Sequence, residues 1–493
     1  MPELQQPEIL ENRLALTANP PGAASLPVYM HYMPWFETPE TSANGEWGWH
    51  WTMNTRNPDV IDASGRRDIA AHQYPLIGPY ASNDPDVIEY HLHLMKLSGV
   101  DGVLINWYGV AGTNGDIDML LRNSKALIDR LEAFDMEFAV VLEDRFAAGA
   151  HDTMQNMAYL RDQYLTHPAY IRDDSTDRPL VLIFGPITVT DSGVWAKIAE
   201  EAGEPIDLLS LWYNDRAGGA ATGQYAWVYQ DQGTTNHLSH LENFYTLKAP
   251  SLNVVGGIAY PGFDDFYAEG GAGAGYFEIP AQGGQTLTAT LALAAEHQTE
   301  IDFLQLVTWN DFGEGTMFEP TAEHGFDALT HIQLFRNAPF SVDDLEVAHA
   351  LYQARKEHAT SPAASAQLDS VAAAIRAGDM EIEEGALGDQ QRAFLSSFHA
   401  SVPHHIAFTR DSHGLVRALR FRTPGPAAPA QTPGVAVLPR SARGPAFAPA
   451  PPAEPTSATL STSLFWLYGL WLADQDSKNG GGISVVTSEQ PIA

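Results

Sequence analysis

Residues 85–142 read PDVIEYHLHLMKLSGVDGVLINWYGVAGTNGDIDMLLRNSKALIDRLEAFDMEFAVVL. Two patterns alternate in this stretch. Residues 85–98 carry apolar side chains at helical spacing, with Asp84 as N-cap, Pro85 at the first helical position and Asp86 in the first turn. Gly99 follows and suits the left-handed position just past a helix. GVLINW (102–107) is then a short apolar run rich in β-branched and aromatic residues, the pattern of a strand buried on both faces. Residues 115–133 return to the helical pattern and EFAVVL (137–142) to the strand pattern. Strand, helix, strand in this order is a βαβ unit with parallel strands.

The same alternation extends both ways. Further strand-like runs are VYMHYM (28–33), PLVLIF (179–184), DLLSLW (207–212), YAWVY (225–229), LNVVGGIA (252–259) and FLQLVTW (303–309). Helical patterns fall at 152–166, 190–202, 235–248 and 283–298. Eight strands alternating with helices predict an α/β fold, a closed (β/α)8 TIM barrel, with an open doubly wound sheet as the alternative. The step after 225–229 is the least marked. The expected organisation is a leader arm (1–25), a catalytic barrel (26–360), a helical appendage (361–400) and a tail (401–493). Residues 344–395 read as helix and supply both the eighth barrel helix and the appendage. Pro and Ala dominate 423–456, so the tail reads as largely disordered. The apolar run LFWLYGLWLA (464–473) is too short to span a bilayer.

Composition narrows the function. The chain has 493 residues and no cysteine, which excludes disulfides, thiolate metal sites and a Cys nucleophile. A net charge of −34 repels nucleic acid and anionic membrane and is compatible with a neutral partner such as a carbohydrate. The first residues lack the basic start and apolar core of a secretory signal, so the sequence as written reads as cytoplasmic by default, and as secreted or periplasmic if a signal was removed. A G-x-S-x-G elbow is absent, and GGAGAG (270–275) lacks the Lys-Ser/Thr of a phosphate loop. His91 and His93 lie on different faces of one helix and read as packing residues rather than metal ligands.

In a TIM barrel, function collects where the strands end at their C-termini. Aromatic and acidic residues recur there. After the first strand come Trp35 and the segment Trp47-Gly48-Trp49-His50-Trp51. Later strand ends carry Asn106, Trp107 and Tyr108, then Glu143, then Tyr213, then Tyr260, Asp264 and Asp265. The last strand runs into Trp309-Asn310-Asp311-Phe312-Gly313-Glu314-Gly315-Thr316. Asp311 and Glu314 are candidates for the two carboxylates that glycoside hydrolysis needs. Trp309 and Phe312 lower the local dielectric, and two neighbouring carboxylates raise each other's pKa. The spacing by itself is equally compatible with a helix-capping loop. Indoles and phenols stack on the apolar faces of sugar rings, while Asn, Asp and His bind hydroxyls. On that basis Tyr32, Trp35, Trp49, His50, Trp51, Asn106, Trp107, Tyr108, Glu143, Tyr213, Tyr260, Asp264, Trp309 and Asn310 are candidate substrate-binding residues.

Taken together, YMHYMPWF (29–36), W-x-W-H-W (47–51), INWYG (105–109), YPGFDD (260–265) and WNDFGEGT (309–316) resemble the endo-α-mannosidase family, glycoside hydrolase family 99, and its bacterial family 99-like relatives. WNDFGEGT is also similar to the W-N-D-[YF]-G-E segment of the fungal α-1,3-glucanases of family 71. The likeness covers about residues 26–335. It implies a (β/α)8 barrel acting on α-linked polysaccharide without a metal, and nothing in the sequence points to a cofactor. It also implies that Glu314 is the general acid/base. Asp311 then matches the carboxylate that assists attack by the sugar 2-hydroxyl to give an anhydrosugar. The mannosidases have Glu there, so the shorter Asp leaves an inverting route through activated water open. Glu143 loosely matches a further carboxylate near the substrate. Two other functions stay open: a non-catalytic glycan-binding barrel, and a lyase or esterase using His31 or His50 as base.

Overall fold

The computed structural model describes residues 26–378 together with 381–383, 406–410 and 416–421, all within the first of the chain's two units, Met1–Arg422. Eight parallel strands close into a barrel: β1 (Val28–Tyr32), β2 (Gly102–Trp107), β3 (Glu137–Leu142), β4 (Leu180–Ile183), β5 (Asp207–Leu211), β6 (Gly223–Tyr225), β7 (Val254–Ala259) and β8 (Phe303–Leu306). Each strand pairs with its neighbours in sequence, and β8 closes the ring on β1 with Val28 opposite Leu304. The expected TIM barrel is therefore the fold.

Outside the strands lie α1 (Pro85–Leu97), α2 (Ile117–Leu131), α3 (Ala150–Gln163), α4 (Ser192–Glu200), α5 (His237–Asn243), α6 (Gln285–Glu296), α7 (Asp327–Arg336), α8 (Val342–Glu357) and α9 (Pro362–Ala377). Helix α1 starts as its sequence predicts: the Asp84 side chain accepts from the N–H groups of Asp86 and Val87. Its flanks are buried along most of its length, His91 and His93 included. The Arg355 guanidinium of α8 meets Glu89 of α1 at 2.7 Å and helps fix α8 over it.

Three expectations shift. Strand β6 spans 223–225 rather than 225–229; residues 226–230 leave the barrel yet stay buried, so their apolarity serves packing under loops rather than strand pairing. Helix α7 precedes the segment expected to hold the eighth helix. Beyond α9, Glu381–Glu383 is a strand, and Val416–Phe421 pairs antiparallel with it and with Ile406–Arg410. Two of these strands fall in the segment expected to be largely disordered. The leader arm, the Pro/Ala stretch and the run 464–473 lie outside the described residues. Among the described residues, no helix is long and apolar enough to cross a membrane.

Candidate active site

The connection after β8 carries the expected carboxylates and is held from several sides. The Asp311 N–H donates to Thr308 Oγ1 at 2.9 Å, and the Thr308 and Thr316 hydroxyls meet at 3.0 Å. Asp311 Oδ1 accepts the Glu314 N–H at 3.0 Å, which fixes the two acids relative to each other. A second loop, entered through the short hairpin of Phe263–Asp264 with Glu278–Ile279, lies along this one. The Asp264 N–H donates to Glu314 O, and the Phe266 N–H to Gly313 O. Gly315, at φ +68°, permits the approach: a Cβ there would sit 2.6 Å from Asp264 O.

This second loop brings Tyr267, whose hydroxyl donates to Glu314 Oε1 at 3.1 Å. Asp265 accepts the N–H groups of Tyr267 and Tyr276 and so shapes the loop around the acids. The loop is tied in turn to the aromatic segment after β1. The Asn54 N–H donates to Gly270 O, and Thr55 Oγ1 to Glu269 O at 2.8 Å. Gly270 has no room for a side chain, since a Cβ would meet Met53 Sδ. The glycine-rich stretch 270–275 is thus a close-packing surface between two loops.

Electrostatics single out Glu314. Burial raises its pKa well above the ordinary value, and the Asp311 and Asp265 charges push it further the same way. The Tyr267 hydrogen bond and Arg145 oppose the shift. Asp311 is also raised, first by burial and then by the charges of Asp265 and Glu143, against the pull of the Glu314 and Gly313 N–H groups. Both carboxyl groups therefore favour the protonated form more than free carboxylates do. Glu143 extends β3 and ion-pairs with Arg145 at 3.0 Å, while burial raises its pKa and Arg145 and the Asn106 side chain pull it back.

The expected sugar-binding residues divide. Glu143, Asn106 and Tyr108 gather beside Arg145; burial raises the Tyr108 phenol, with Glu143 and Asp311 acting on it too. Trp35 stacks on His50 at 3.9 Å with the rings nearly parallel, and Trp49 meets His50 edge-on at 5.0 Å. Burial and Arg145 lower the His50 pKa to about 3, so its ring is neutral. Trp49 is half-buried against the cluster containing Met53, Phe266 and Tyr267. Tyr213, at φ +56°, packs on Trp212 and Phe244. Asp264 is half-exposed and pairs with His72 at 3.0 Å; its neighbour Asp265 is the one whose charge acts on both acids.

Other residues expected to contact substrate are engaged with the surrounding protein. Trp51 is fully enclosed, stacks on Phe36 at 4.0 Å and donates its indole N–H to Tyr80 O. Trp107 faces away from the barrel interior onto Tyr159 of α3, because successive strand residues point to opposite sides. Tyr32 points at His91 of α1, its hydroxyl 3.0 Å from Nδ1. Trp309 sits edge-on to His91, and Asn310 is bound to the Met33 backbone. Tyr260 is enclosed with its hydroxyl 2.9 Å from His237 Nδ1. All six are buried. His31, a candidate base, is sealed inside the barrel against Gln305 and Trp227. Among the described residues, no group of three or more His, Cys, Asp or Glu is arranged to hold a metal ion.

A family model described as Glycosyl hydrolase family 99 matches residues 25–220. Over that stretch the chain is similar to family 99. It is 24% identical over 188 residues to a glycoprotein endo-α-1,2-mannosidase of Xenopus laevis, covering 36% of this chain and 41% of that protein. A mouse protein of the same description is 22% identical over 280 residues, 51% of this chain and 57% of its own length. A solved family 99 endo-α-mannosidase from Bacteroides thetaiotaomicron aligns with a TM-score of 0.48 at 19% identity, covering 66% of this chain and 98% of that one. The chain spans about two-fifths of the length of the first curated relatives it matches. The family 99 match contains Trp35, His50, Asn106 and Glu143 but ends before Asp311 and Glu314. The two acids are therefore described by their surroundings alone.

Sequence reading passed over Tyr267 and Tyr276 and ranked Asp264 above Asp265. The available signal was the segment FDDFYAEGGAGAGYFE (263–278), whose aromatic residues flank a glycine-rich stretch suited to close backbone approach.

Proposed function

We propose that this chain is an endo-acting glycoside hydrolase of α-mannosides, with Glu314 as general acid/base and Asp311 as its partner. The observation that carries this reading is Glu314 itself, a carboxyl whose burial and neighbouring Asp311 charge favour its protonated form while it accepts a tyrosine hydroxyl. The relatives' described activity, endo-α-1,2-mannosidase, supplies the substrate class. Glu314 donates its proton to the glycosidic oxygen as the C1–O bond breaks, which removes the alkoxide from the leaving group. Asp311 ionises more readily because backbone N–H groups face its carboxylate. It takes a proton from the attacking group: if that is the sugar 2-hydroxyl, the Glu314 carboxylate next takes a proton from the water that opens the anhydrosugar at C1 while Asp311 returns its proton to O2, and if it is water, Asp311 loses its proton to solvent and Glu314 regains one.

The test is incubation with α-mannan and with α-1,3-glucan, following product size and anomer by NMR. Internal cleavage of α-mannan is the expected result. Cleavage of the glucan alone would reassign the substrate. Binding of either glycan without cleavage would replace the hydrolase reading with a glycan-binding barrel.

A further inference from the structure

A chain of buried hydrogen bonds runs behind the acids and ends on the residue before Asp311. The Asn310 amide spans the Met33 backbone, accepting its N–H at 2.9 Å and donating to its C=O at 3.0 Å. The same amide nitrogen donates to the Tyr80 hydroxyl at 3.0 Å, and Tyr80 donates to Glu319 Oε2 at 2.6 Å. Beyond Glu319, Oε1 lies 3.4 Å from His91 Nε2, and His91 Nδ1 lies 3.0 Å from the Tyr32 hydroxyl. The side chains of His91 and Glu319 are fully enclosed. The Glu319 N–H also donates to Trp309 O at 2.8 Å, so Glu319 holds the same loop by backbone and by side chain.

Donor directions are determined from Met33 to Glu319. Because the Met33 N–H faces the Asn310 carbonyl oxygen, the Asn310 nitrogen donates to Tyr80 and the tyrosine proton is left for Glu319. That fixes which way the Asn310 amide faces, and the Met33 backbone reads the same orientation. Asp311 follows directly. A buried carboxylate costs more than apolar packing of the same shape, so orientation rather than stability is what such a network supplies.

We infer that Glu319, acting through Tyr80 and Asn310, is a positioning residue for the Asp311–Glu314 pair. This rests on the proposed acid/base role of the pair, so its test includes a readout independent of hydrolysis. Tyr80→Phe and Tyr32→Phe each delete one buried phenol hydroxyl, one hydrogen-bonded to Asn310 and Glu319 and one beyond the 3.4 Å contact between Glu319 and His91. Both are expected to lower the melting temperature by similar amounts. Only Tyr80→Phe is expected to move the carboxyl titration of the pair, followed by 13C NMR, downward by about half a unit to one unit, because a loosened loop admits water to the acids. On α-mannan it lowers kcat about tenfold with KM nearly unchanged. Glu319→Gln keeps an acceptor for Tyr80 and falls between wild type and Tyr80→Phe; it carries the same comparison if Tyr80→Phe does not fold. An unmoved titration in Tyr80→Phe, or an equal shift in Tyr32→Phe, overturns the positioning role. Absence of hydrolysis by wild type with the Tyr80→Phe shift present overturns the acid/base reading and leaves the positioning role standing.

Discussion

Glu314 and Glu319 belong to the same connection after β8, and each carboxylate accepts a tyrosine hydroxyl. Their surroundings differ in kind. Glu314 is half-buried at the mouth, with the Asp311 and Asp265 charges close enough to raise its pKa. Glu319 is sealed behind the loop, with Tyr80 on one oxygen and His91 facing the other. On the proposed roles, the same side chain releases a proton where acids flank it and holds a loop where a tyrosine hydroxyl donates to it. Carboxylates flank Glu314, whereas a phenol and an imidazole flank Glu319.

The sharpest break in this comparison is Glu314→Gln. It keeps the shape and removes the proton, so hydrolysis of α-mannan is expected to fall by about a thousandfold or more while the fold persists, as circular dichroism would show. Wild-type turnover by this variant would put the reacting acid elsewhere.

Asp311→Asn comes next, with a loss of about a hundredfold. It also removes a charge that raises Glu314, so the alkaline limb of the pH–rate profile moves to lower pH. Stability moves the other way. Asp311 has a raised pKa in the fold, so the folded chain binds more protons than the unfolded one above the ordinary aspartate value of 3.8. That destabilises the fold progressively as pH rises from there to the raised value. Asp311→Asn is therefore expected to raise the melting temperature at neutral pH and to lose that advantage in acid. An unchanged melting curve at neutral pH would count against a strained carboxylate pair.

Tyr267→Phe has a smaller effect, about tenfold in kcat. Its hydroxyl favours ionised Glu314, so its removal shifts the alkaline limb to higher pH, opposite in sign to Asp311→Asn. Shifts in the same direction would contradict the opposed roles of these neighbours. The smallest contrast is between two indoles: Trp49→Ala should raise KM severalfold, whereas Trp107→Phe, which faces α3, should leave KM within about twofold.

Much of the barrel was legible because strands buried on both faces read as continuous apolar runs, as in GVLINW and EFAVVL. Strand β6 was misplaced for the same reason, since buried loop residues 226–230 are just as apolar. The acid pair was legible because it is local, three residues apart in one loop. Its aromatic surroundings were not. W-G-W-H-W gives no sign that Trp51 is core while Trp49 stays half-exposed. The period of two in a strand could have separated Asn106 from Trp107. Tyr267 reaches Glu314 across a hairpin distant in sequence, and no local pattern announces such a contact.

The most direct test is the titration of Glu314 by 13C-carboxyl NMR, with its resonance assigned by its absence in Glu314→Gln. The expected result is a carboxyl still protonated at neutral pH, whose titration falls when Asp311 is replaced by Asn. A Glu314 that ionises in the ordinary glutamate range, unmoved by Asp311→Asn, would contradict its role as the proton donor.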